Sequence, residues 1–301
     1  MRNTFIKTLS ELAETNPDIF LICGDLGYSV LEIFADKFPD RFLNIGIAEQ
    51  NMMGVATGLS MEGYNVFTYS IGNFPTLRCM EQIRYDICYH NANVKVVAVG
   101  GGYAYGPLGV SHHTTEELGM LRTIPNLQVT SPGDPAEVAG VTKYFGSYKG
   151  PGYIRLNKTG EKIIHSEQIN FTEPSAISII ANQNPIAICA TGDMVGYAHK
   201  YISEHSLKAD LFSFPFVSPL DLPKVKIIGE SYSKVITLEE HQLNGGFGSA
   251  IIEALNDLYA AGKLNAFPKV QRVGIPNQFV GYAGTQDFLR EQAHLNLKNI
   301  I

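Results

Sequence analysis

Short runs of apolar residues alternate with longer segments of helical periodicity along the first half of the chain. The runs are rich in Val and Ile and do not alternate strictly, which is typical of strands buried on both faces of a sheet. We predict strands at Ile19–Cys23, Phe42–Ile45, Val66–Tyr69, Val94–Val99, Leu127–Thr130 and Tyr153–Leu156. Helices are predicted between most of them, at Thr4–Thr15, Val30–Lys37, Glu49–Met61, Phe74–Tyr89 and Pro135–Tyr148.

The alternation stops in a polar segment and then restarts. Periodicity is lost around residues 162–185, and we predict a linker at residues 173–184. Further strands are predicted at Ile186–Ala190, Ala209–Phe212, Val235–Leu238 and Val270–Gly274, and helices at Met194–Glu204, Gly246–Ala261 and Thr285–Asn296. The predicted fold class is α/β, with two consecutive domains at residues 1–172 and 185–301, each a mostly parallel sheet with helices on both faces.

Composition narrows the class of protein. A chain of 301 residues is long enough for one large or two ordinary domains, and 45% hydrophobic and 17% charged residues are typical of a soluble globular enzyme. The formal net charge of −6, with no run of Lys or Arg, gives no reason to expect nucleic acid as a partner. No apolar stretch reaches membrane-spanning length, and the four cysteines form no CxxC pair. We therefore expect a cytoplasmic protein with reduced thiols and no membrane partner.

A carboxylate stands at the junction between the second predicted strand and the helix that follows it. Glu49 lies in an apolar stretch that includes Ile47, Met52 and Met53. An exposed carboxylate in the first turn of a helix would complement the helix dipole. A buried one would be held protonated or shared with a ligand nitrogen, because burial disfavours the charged form. The residue types alone leave both interpretations open.

The sequence RFLNIGIAEQ at Arg41–Gln50 resembles the pyrimidine-domain signature of the transketolase family of thiamine-diphosphate enzymes. This family includes deoxyxylulose phosphate synthase and the beta subunits of 2-oxo acid dehydrogenases. The resemblance implies that Glu49 hydrogen-bonds the aminopyrimidine ring of thiamine diphosphate and is catalytic. The stretch Thr237–Leu255 is similar to the family's C-terminal domain. We interpret its Glu239–Glu240–His241 cluster as a strand end before a Gly-rich turn, and not as a metal or acid–base site.

The resemblance extends to YSIGNFPTLRCMEQIRYDI at Tyr69–Ile87. Phe74 matches the aromatic residue that packs against the aminopyrimidine in the family. Because family members differ in loop length here, Ile71 or Tyr69 could take that place instead. Arg78 follows on the same predicted helix and is counted with the cofactor-binding residues.

A Gly-rich loop, GGGYAYGPLGVSHHTTEE at residues 100–117, follows the fourth predicted strand. On the family pattern, His112 takes the position of a substrate-binding, catalytic histidine. His113 replaces a Gln and is also counted as substrate-binding.

Two residues of this loop depart from transketolases. Leu108 stands where they usually carry Asp, and Gly100 stands where they carry an earlier His. We expect Tyr103 and Tyr105 to fill the space near Gly100. These departures concern the sugar and not the cofactor.

Phosphate recognition is implied by four positions. Arg2 precedes Asp25, and Ser29 follows it, at spacings that match phosphate-binding residues of the family. Lys158 replaces a second Arg and could bind phosphate as a point charge. Together they predict a small phosphorylated sugar as substrate, with Asp25 nearby.

The family's metal site is not found in this sequence. Transketolases hold the cofactor diphosphate through a metal bound by Gly-Asp-Gly and a later Asn, and the nearest approach here, at residues 24–27, lacks the second adjacent Gly. The resemblance covers about the C-terminal half of a full transketolase. We therefore predict no metal ligand in this chain, and Mg²⁺ (or Ca²⁺) bound by a separate N-terminal subunit.

The sequence thus predicts the C-terminal subunit of a split transketolase. It would transfer a two-carbon ketol unit from a ketose, phosphorylated by our expectation, to an aldose. It would be active only with its partner, in a heterotetramer of two copies of each chain. The alternatives are a 2-oxo acid dehydrogenase beta subunit, a deoxyxylulose phosphate synthase-like enzyme and a catalytically silent partner subunit.

Overall fold

The predicted alternation of strands and helices is present in the computed structural model, which describes residues 1–158 and 163–298. The strands are β1 Ile19–Cys23, β2 Phe42–Asn44, β3 Asn65–Ile71, β4 Val94–Val99, β5 Gln128–Thr130, β6 Gly152–Leu156, β7 Ile177–Ile180, β8 Ile186–Ala190, β9 Ala209–Ser213, β10 Phe216–Ser218, β11 Lys234–Gln242 and β12 Lys269–Ile275. The α-helices are α1 Arg2–Thr15, α2 Glu32–Lys37, α3 Glu49–Met61, α4 Met80–Gln82, α5 Glu117–Leu121, α6 Pro135–Ser147, α7 Met194–Glu204, α8 Leu222–Ser231, α9 Phe247–Ala260 and α10 Gln286–Gln292.

The first sheet has seven strands in the order β10-β5-β6-β4-β3-β1-β2. All its pairs are parallel except β10 with β5. Apolar residues of α1 and α6 cover one face, and the two Met of α3 pack on the other. The predicted parallel sheet covered on both faces is confirmed. Parallel strands place their carboxyl ends on one edge, where open α/β sheets bind ligands.

The second sheet has five strands in the order β12-β11-β8-β9-β7, and β7 pairs antiparallel with β9. Strand β7 lies inside residues 173–184, the segment predicted as a linker. Strand β10 follows β9 in the chain but joins the first sheet. Neither strand has a strong pattern of its own, because short edge strands are defined mainly by the strands they pair with.

The continuous helix predicted at Phe74–Tyr89 is wrong. The chain turns after β3, forms a 3-10 turn at Leu77–Cys79 and a short helix α4, and continues as a π-helical segment at Ile83–Tyr89. Pro75 explains the late start, since a proline disfavours the helical conformation of the residue before it. Helix α8 is absent from the sequence prediction, although Asp221 before Leu-Pro signals a helix start and accepts a hydrogen bond from Lys224 N at 2.9 Å.

The two domains meet around Arg155 of β6. Its Nη2 donates to the carbonyl oxygens of Thr114 at 2.8 Å and Glu240 at 3.0 Å, and its Nε lies 3.0 Å from the buried Glu117 carboxylate. Apolar residues of both domains share one continuous core beneath this contact. Residues of the second domain therefore lie directly against the carboxyl edge of the first sheet.

Candidate active site

Glu49 is buried at the carboxyl edge of the first sheet, with 2% of its surface exposed, as the first residue of α3. A Cβ added to Gly24, at the end of β1, would lie 3.6 Å from Glu49 Cγ, so the strand passes close to the side chain. Arg78 Nη1 donates to Glu49 Oε2 at 2.7 Å, and Ser70 Oγ lies 3.5 Å from Oε1. Because an ionised carboxylate can accept about four hydrogen bonds, these contacts leave capacity for a ligand donor.

Aromatic and charged side chains contact one another in succession from Glu49 along this edge of the sheet. The Arg78 guanidinium lies 4.8 Å from the centre of the Phe74 ring, and the edge of His112 meets that ring at a centroid distance of 5.2 Å. His112 lies 6.4 Å from the ring of Tyr105, and Lys158 Nζ lies 5.2 Å from the same tyrosine ring. The structure thus brings the cofactor candidates Glu49, Phe74 and Arg78 together with the substrate candidates His112, Tyr105 and Lys158.

The two adjacent histidines have different surroundings. His112 is half-buried, and its Nδ1 lies 3.0 Å from Ser111 Oγ. Burial lowers the pKa of His112, and the charge of His113 lowers it further. His113 is 4% exposed, its Nε2 faces Gly106 O at 3.4 Å, and its ring meets Tyr103 at 5.2 Å. His112 faces the open edge, whereas His113 and Tyr103 lie beneath the loop.

Arg2 lies beside Tyr105 on the other side of this edge. Burial raises the pKa of Tyr105, while the charge of Arg2 and a hydrogen bond from its side chain oppose that rise. Arg2 Nε is buried and has no hydrogen-bond partner among the described residues. A Cβ on Gly100, which has φ +93°, would collide with the Tyr105 ring. The tyrosine therefore occupies the space beside Gly100, as expected from the sequence.

Tyr69 is not brought to Glu49. It is 1% exposed and stacks on Phe5 at 6.1 Å, on the face of the sheet covered by α1. Since successive side chains of a strand point to opposite faces, Ser70 is the residue that reaches Glu49. Ile71 is half-buried at the end of β3. Of the three positions considered against the aminopyrimidine, Phe74 is the one in contact with Arg78 and His112.

Asp25 and Ser29 lie in the exposed loop after β1. Both have positive φ, 55° and 62°. Asp25 Oδ1 accepts hydrogen bonds from Asn44 Nδ2 at 3.0 Å and Tyr28 OH at 3.1 Å. The backbone N–H of Ser29 donates to Glu32 at 2.9 Å. The structure shows how this loop is held, and a phosphate-binding role for either residue stays a prediction.

Asn73 is a site residue that the sequence does not reveal. Its Nδ2 donates to His113 O at 2.7 Å and to Ser111 O at 3.3 Å, and so fixes the segment that carries His112. An Asn after Gly is typical of a turn, and its distant partners leave no local signal. In the Glu239–Glu240–His241 cluster the predicted strand end before a Gly-rich turn is confirmed, and Glu239 accepts the N–H groups of Phe247 and Gly248 at 2.6 and 2.8 Å at the start of α9.

Among the described residues, one group of three or more side chains could hold a metal ion: Asp134, Glu137 and His165. The Asp134 oxygens accept the N–H groups of Glu137, Ile164 and His165 at 2.8–3.0 Å. Glu137 accepts Gly133 N and bonds the His165 ring. These contacts fix the segment after β6 to the start of α6 and leave little room in the donor set for a metal.

Known proteins place this architecture in a family. Residues 1–160 match the family "Transketolase, pyrimidine binding domain", and residues 176–300 match "Transketolase, C-terminal domain". The chain therefore belongs to the transketolase family, whose members depend on thiamine diphosphate. The predicted family and fold class are confirmed.

Relatives of similar length are separate subunits. The chain is 33% identical to a protein called putative transketolase C-terminal section from Methanocaldococcus jannaschii, covering 100% of this chain and 93% of the relative. It is 30% identical to a subunit of an apulose-4-phosphate transketolase from Phocaeicola vulgatus, covering 98% and 93%. A solved structure described as a split gene transketolase, inactive beta4 tetramer, superposes with a TM-score of 0.85 at 33% identity, covering 99% and 94%. The prediction of a transketolase-family transferase divided between chains is confirmed.

No helix within the described ranges, 1–158 and 163–298, is long and apolar enough to cross a membrane.

Proposed function

We propose that this chain supplies the pyrimidine-binding and sugar-binding half of a two-chain transketolase. The carrying observation is the buried Glu49 carboxylate, which has one close partner, Arg78, and leads through Phe74 to the half-exposed His112. A carboxylate in this setting can share a proton with a ring nitrogen, as general acid–base catalysis requires.

Each side chain has a separate task in this proposal. Thiamine diphosphate, when bound, supplies the electron sink for breaking a carbon–carbon bond next to a ketose carbonyl. Glu49 holds the aminopyrimidine through a nitrogen and moves its proton, while Arg78 orients the carboxylate from the open side. Phe74 packs against the ring, where such contacts contribute about 0.5–1.5 kcal/mol beyond buried area. His112 binds the sugar and transfers protons to and from it.

The sugar in this proposal carries a terminal anionic group such as phosphate. Support comes from Arg2, whose buried Nε lacks a partner among the described residues, and from Lys158 above the ring of Tyr105. The Phocaeicola relative is named for a sugar 4-phosphate. We expect Arg2→Met to raise KM for a ketose phosphate and to change KM little for the same ketose without phosphate.

The metal and the diphosphate belong, in this proposal, to an N-terminal partner subunit that binds Mg²⁺ or Ca²⁺. The group of possible metal ligands among the described residues, Asp134, Glu137 and His165, does not include the side chains gathered around Glu49. Two copies of each chain would form the active assembly, because two-fold symmetry is the commonest closed arrangement.

One sequence argument for the pairing surface is corrected by the structure. The sequence predicts a pairing surface on the helix Glu49–Met61 and the helix beginning near Phe74, because both carry apolar residues all round, including Met52, Met53, Met80 and Ile83. In the structure, Met52, Met53 and Ile83 are fully buried in the chain's own core, and Met80 packs against it. The outward face of α3 instead exposes Gln50, Asn51, Gly54 and Gly58. A partner helix could approach closely at the two glycines, where an added Cβ would meet nothing within 4 Å.

Calorimetry and light scattering test the proposal. The isolated chain, with Mg²⁺ and thiamine diphosphate, should bind the cofactor weakly and turn over no ketose phosphate. The chain co-expressed with the product of a neighbouring reading frame that carries Gly-Asp-Gly and a later Asn should form an active heterotetramer. Tight binding and ketol transfer by the isolated chain, or an active homodimer, would overturn the split-subunit assignment.

A further inference from the structure

The loop that carries His112 has little regular structure of its own. Between Gly100 and His113 it forms two single 3-10 turns, Gly106–Leu108 and Val110–His112. A single bridge pairs Gly102 with Thr114. Short 3-10 turns have poorer hydrogen-bond geometry than an α-helix, so contacts from elsewhere decide how firmly such a loop is held.

The second domain supplies those contacts on one side of the loop. Glu240 Oε1 accepts the backbone N–H of Tyr103 at 3.0 Å, across 137 positions of sequence. The backbone N–H of Gly284 donates to Gly106 O at 3.3 Å. Tyr103 and Gly106 both contact His113, through its ring and its Nε2. The residue next to His112 is thus held between two anchored points.

The Glu240 carboxylate is itself fixed by α10. Gln286 Nε2 donates to its two oxygens at 3.2 and 3.0 Å, and Arg290 forms an ion pair with Oε2. Arg290 also pairs with Asp193 at the start of α7. Glu240 is 4% exposed, and a Cβ added to Gly102 would lie 2.5 Å from its Cγ, so the loop packs directly on the side chain. Buried charges held by several partners keep one geometry.

We propose that Glu240, fixed by Gln286 and Arg290, is a positioning residue that holds the His112 loop in its sugar-binding conformation. The second domain thereby sets substrate binding without touching the substrate. The holding of the loop stands on the contacts above, and only its effect on sugar binding rests on the proposed function.

Hydrogen–deuterium exchange of the whole chain tests the holding of the loop directly. Glu240→Ala should speed exchange of peptides from residues 100–113 by about tenfold, the effect of losing one hydrogen bond to a charged acceptor. Asp210→Ala is the matched control. Asp210 is a buried carboxylate of the same domain that accepts hydrogen bonds from Asn182, Asn184 and Tyr232 and contacts no part of the loop.

The control should lower the stability of the second domain and leave exchange of residues 100–113 unchanged. Should Glu240→Ala fail to fold, Glu240→Gln should give a smaller acceleration in the same direction, since it keeps an acceptor for Tyr103 N but loses the charge that pairs with Arg290. Unchanged loop exchange in the folded Glu240 variant, or equal acceleration in the Asp210 variant, would overturn the proposal.

A second readout concerns His112 itself. In the isolated chain, the NMR titration of His112 should move toward the ordinary histidine pKa in Glu240→Ala, because a looser loop relieves the burial that lowers it.

In the two-chain complex, KM for a ketose phosphate should rise about tenfold with thiamine diphosphate affinity unchanged, and Glu240→Gln should recover part of the loss. A fall in kcat alone, matched by Asp210→Ala, would indicate a merely structural role. If exchange and titration change as expected while the complex shows no ketol transfer, the proposed function fails, but the role of Glu240 in holding the His112 loop is retained.

Discussion

Two buried carboxylates lie at helix starts in this molecule, and we expect a catalytic role for Glu49 and a structural role for Glu239. Glu49 begins α3 and is 2% exposed, and Glu239 lies against the start of α9 and is fully buried. Glu239 accepts two backbone N–H groups of its own domain, from Phe247 and Gly248. Glu49 is held by the side chain of Arg78, which is itself 46% exposed.

The two carboxylates differ in how many hydrogen-bond acceptor positions each leaves free for a ligand. The backbone N–H donors of Phe247 and Gly248 are fixed in α9, so both oxygens of Glu239 are used in holding the fold. Burial nevertheless raises the pKa of Glu239 to about 8, against the effect of these hydrogen bonds. Glu49 lies beside Gly24 and has one partly exposed partner, Arg78, so we expect its oxygens to be available to a ligand. Burial alone would not have told the two apart, whereas the identity of their donors does.

The largest expected effect is that of Glu49→Gln. The amide can accept a hydrogen bond but cannot share the proton, so turnover of the two-chain complex should fall by about 10²–10⁴-fold. Circular dichroism and the unfolding midpoint should change little, because the Glu49 carboxylate bonds the side chains of Arg78 and Ser70 and not the backbone of α3. Equal hydrogen exchange at the reactive carbon of the cofactor in variant and wild type would remove Glu49 from the catalytic role.

His112→Ala should have the next largest effect. Loss of a hydrogen bond to a sugar group should lower kcat/KM by about tenfold or more while cofactor affinity stays the same. Steady-state kinetics and calorimetry on the complex measure both quantities. Ser111→Ala, which removes the hydroxyl next to His112 Nδ1, is the milder comparison. Lost cofactor affinity would mean that the loop faces the pyrimidine and not the sugar.

Glu239→Gln should affect stability and not catalysis. The amide NH₂ must face the N–H of Phe247 or Gly248, and an unsatisfied buried donor costs about 1–3 kcal/mol. Urea denaturation should show this loss, with kcat and KM of the folded complex close to wild type. A large kinetic effect with unchanged stability would reverse the contrast with Glu49.

The sequence predicts best the elements with an uninterrupted pattern. Strand β4 and helix α3 have the predicted bounds, because β4 is a continuous buried run and α3 is buried along one face, and each ends at a clear break. The prediction of a helix directly after β3 fails at Pro75. Strands β7 and β10 could not be predicted, because each is a short edge strand without a strong pattern of its own. Strand β10 also pairs with a strand of the other domain.

The site is predictable where a motif carries it and not where tertiary contacts do. The motif locates Glu49, but it cannot choose among Phe74, Ile71 and Tyr69, because that choice depends on which face of the sheet each side chain takes. It assigns His112 and His113 to different positions of the family pattern, but it does not show that the two differ in burial. Glu240 acts on the loop across 137 positions, and no local pattern signals such a contact.

The last expected effect concerns the pH dependence of stability and a third kind of buried ionisable group, Lys95 of β4. Its Nζ donates to Gly150 O at 2.9 Å and to Asn93, and burial lowers its pKa to about 7. The unfolded chain, with an ordinary lysine pKa of about 10.4, binds more protons between these values, so Lys95 makes stability rise with pH from about 7 to about 10. Lys95→Met should remove that slope, at most about 1.4 kcal/mol per pH unit, in urea unfolding at several pH values. Lys200→Met, at an exposed position of α7, is the control. An unchanged slope in Lys95→Met would show that the buried amine keeps its proton in the fold, where it is held by fixed acceptors as Glu239 is held by fixed donors.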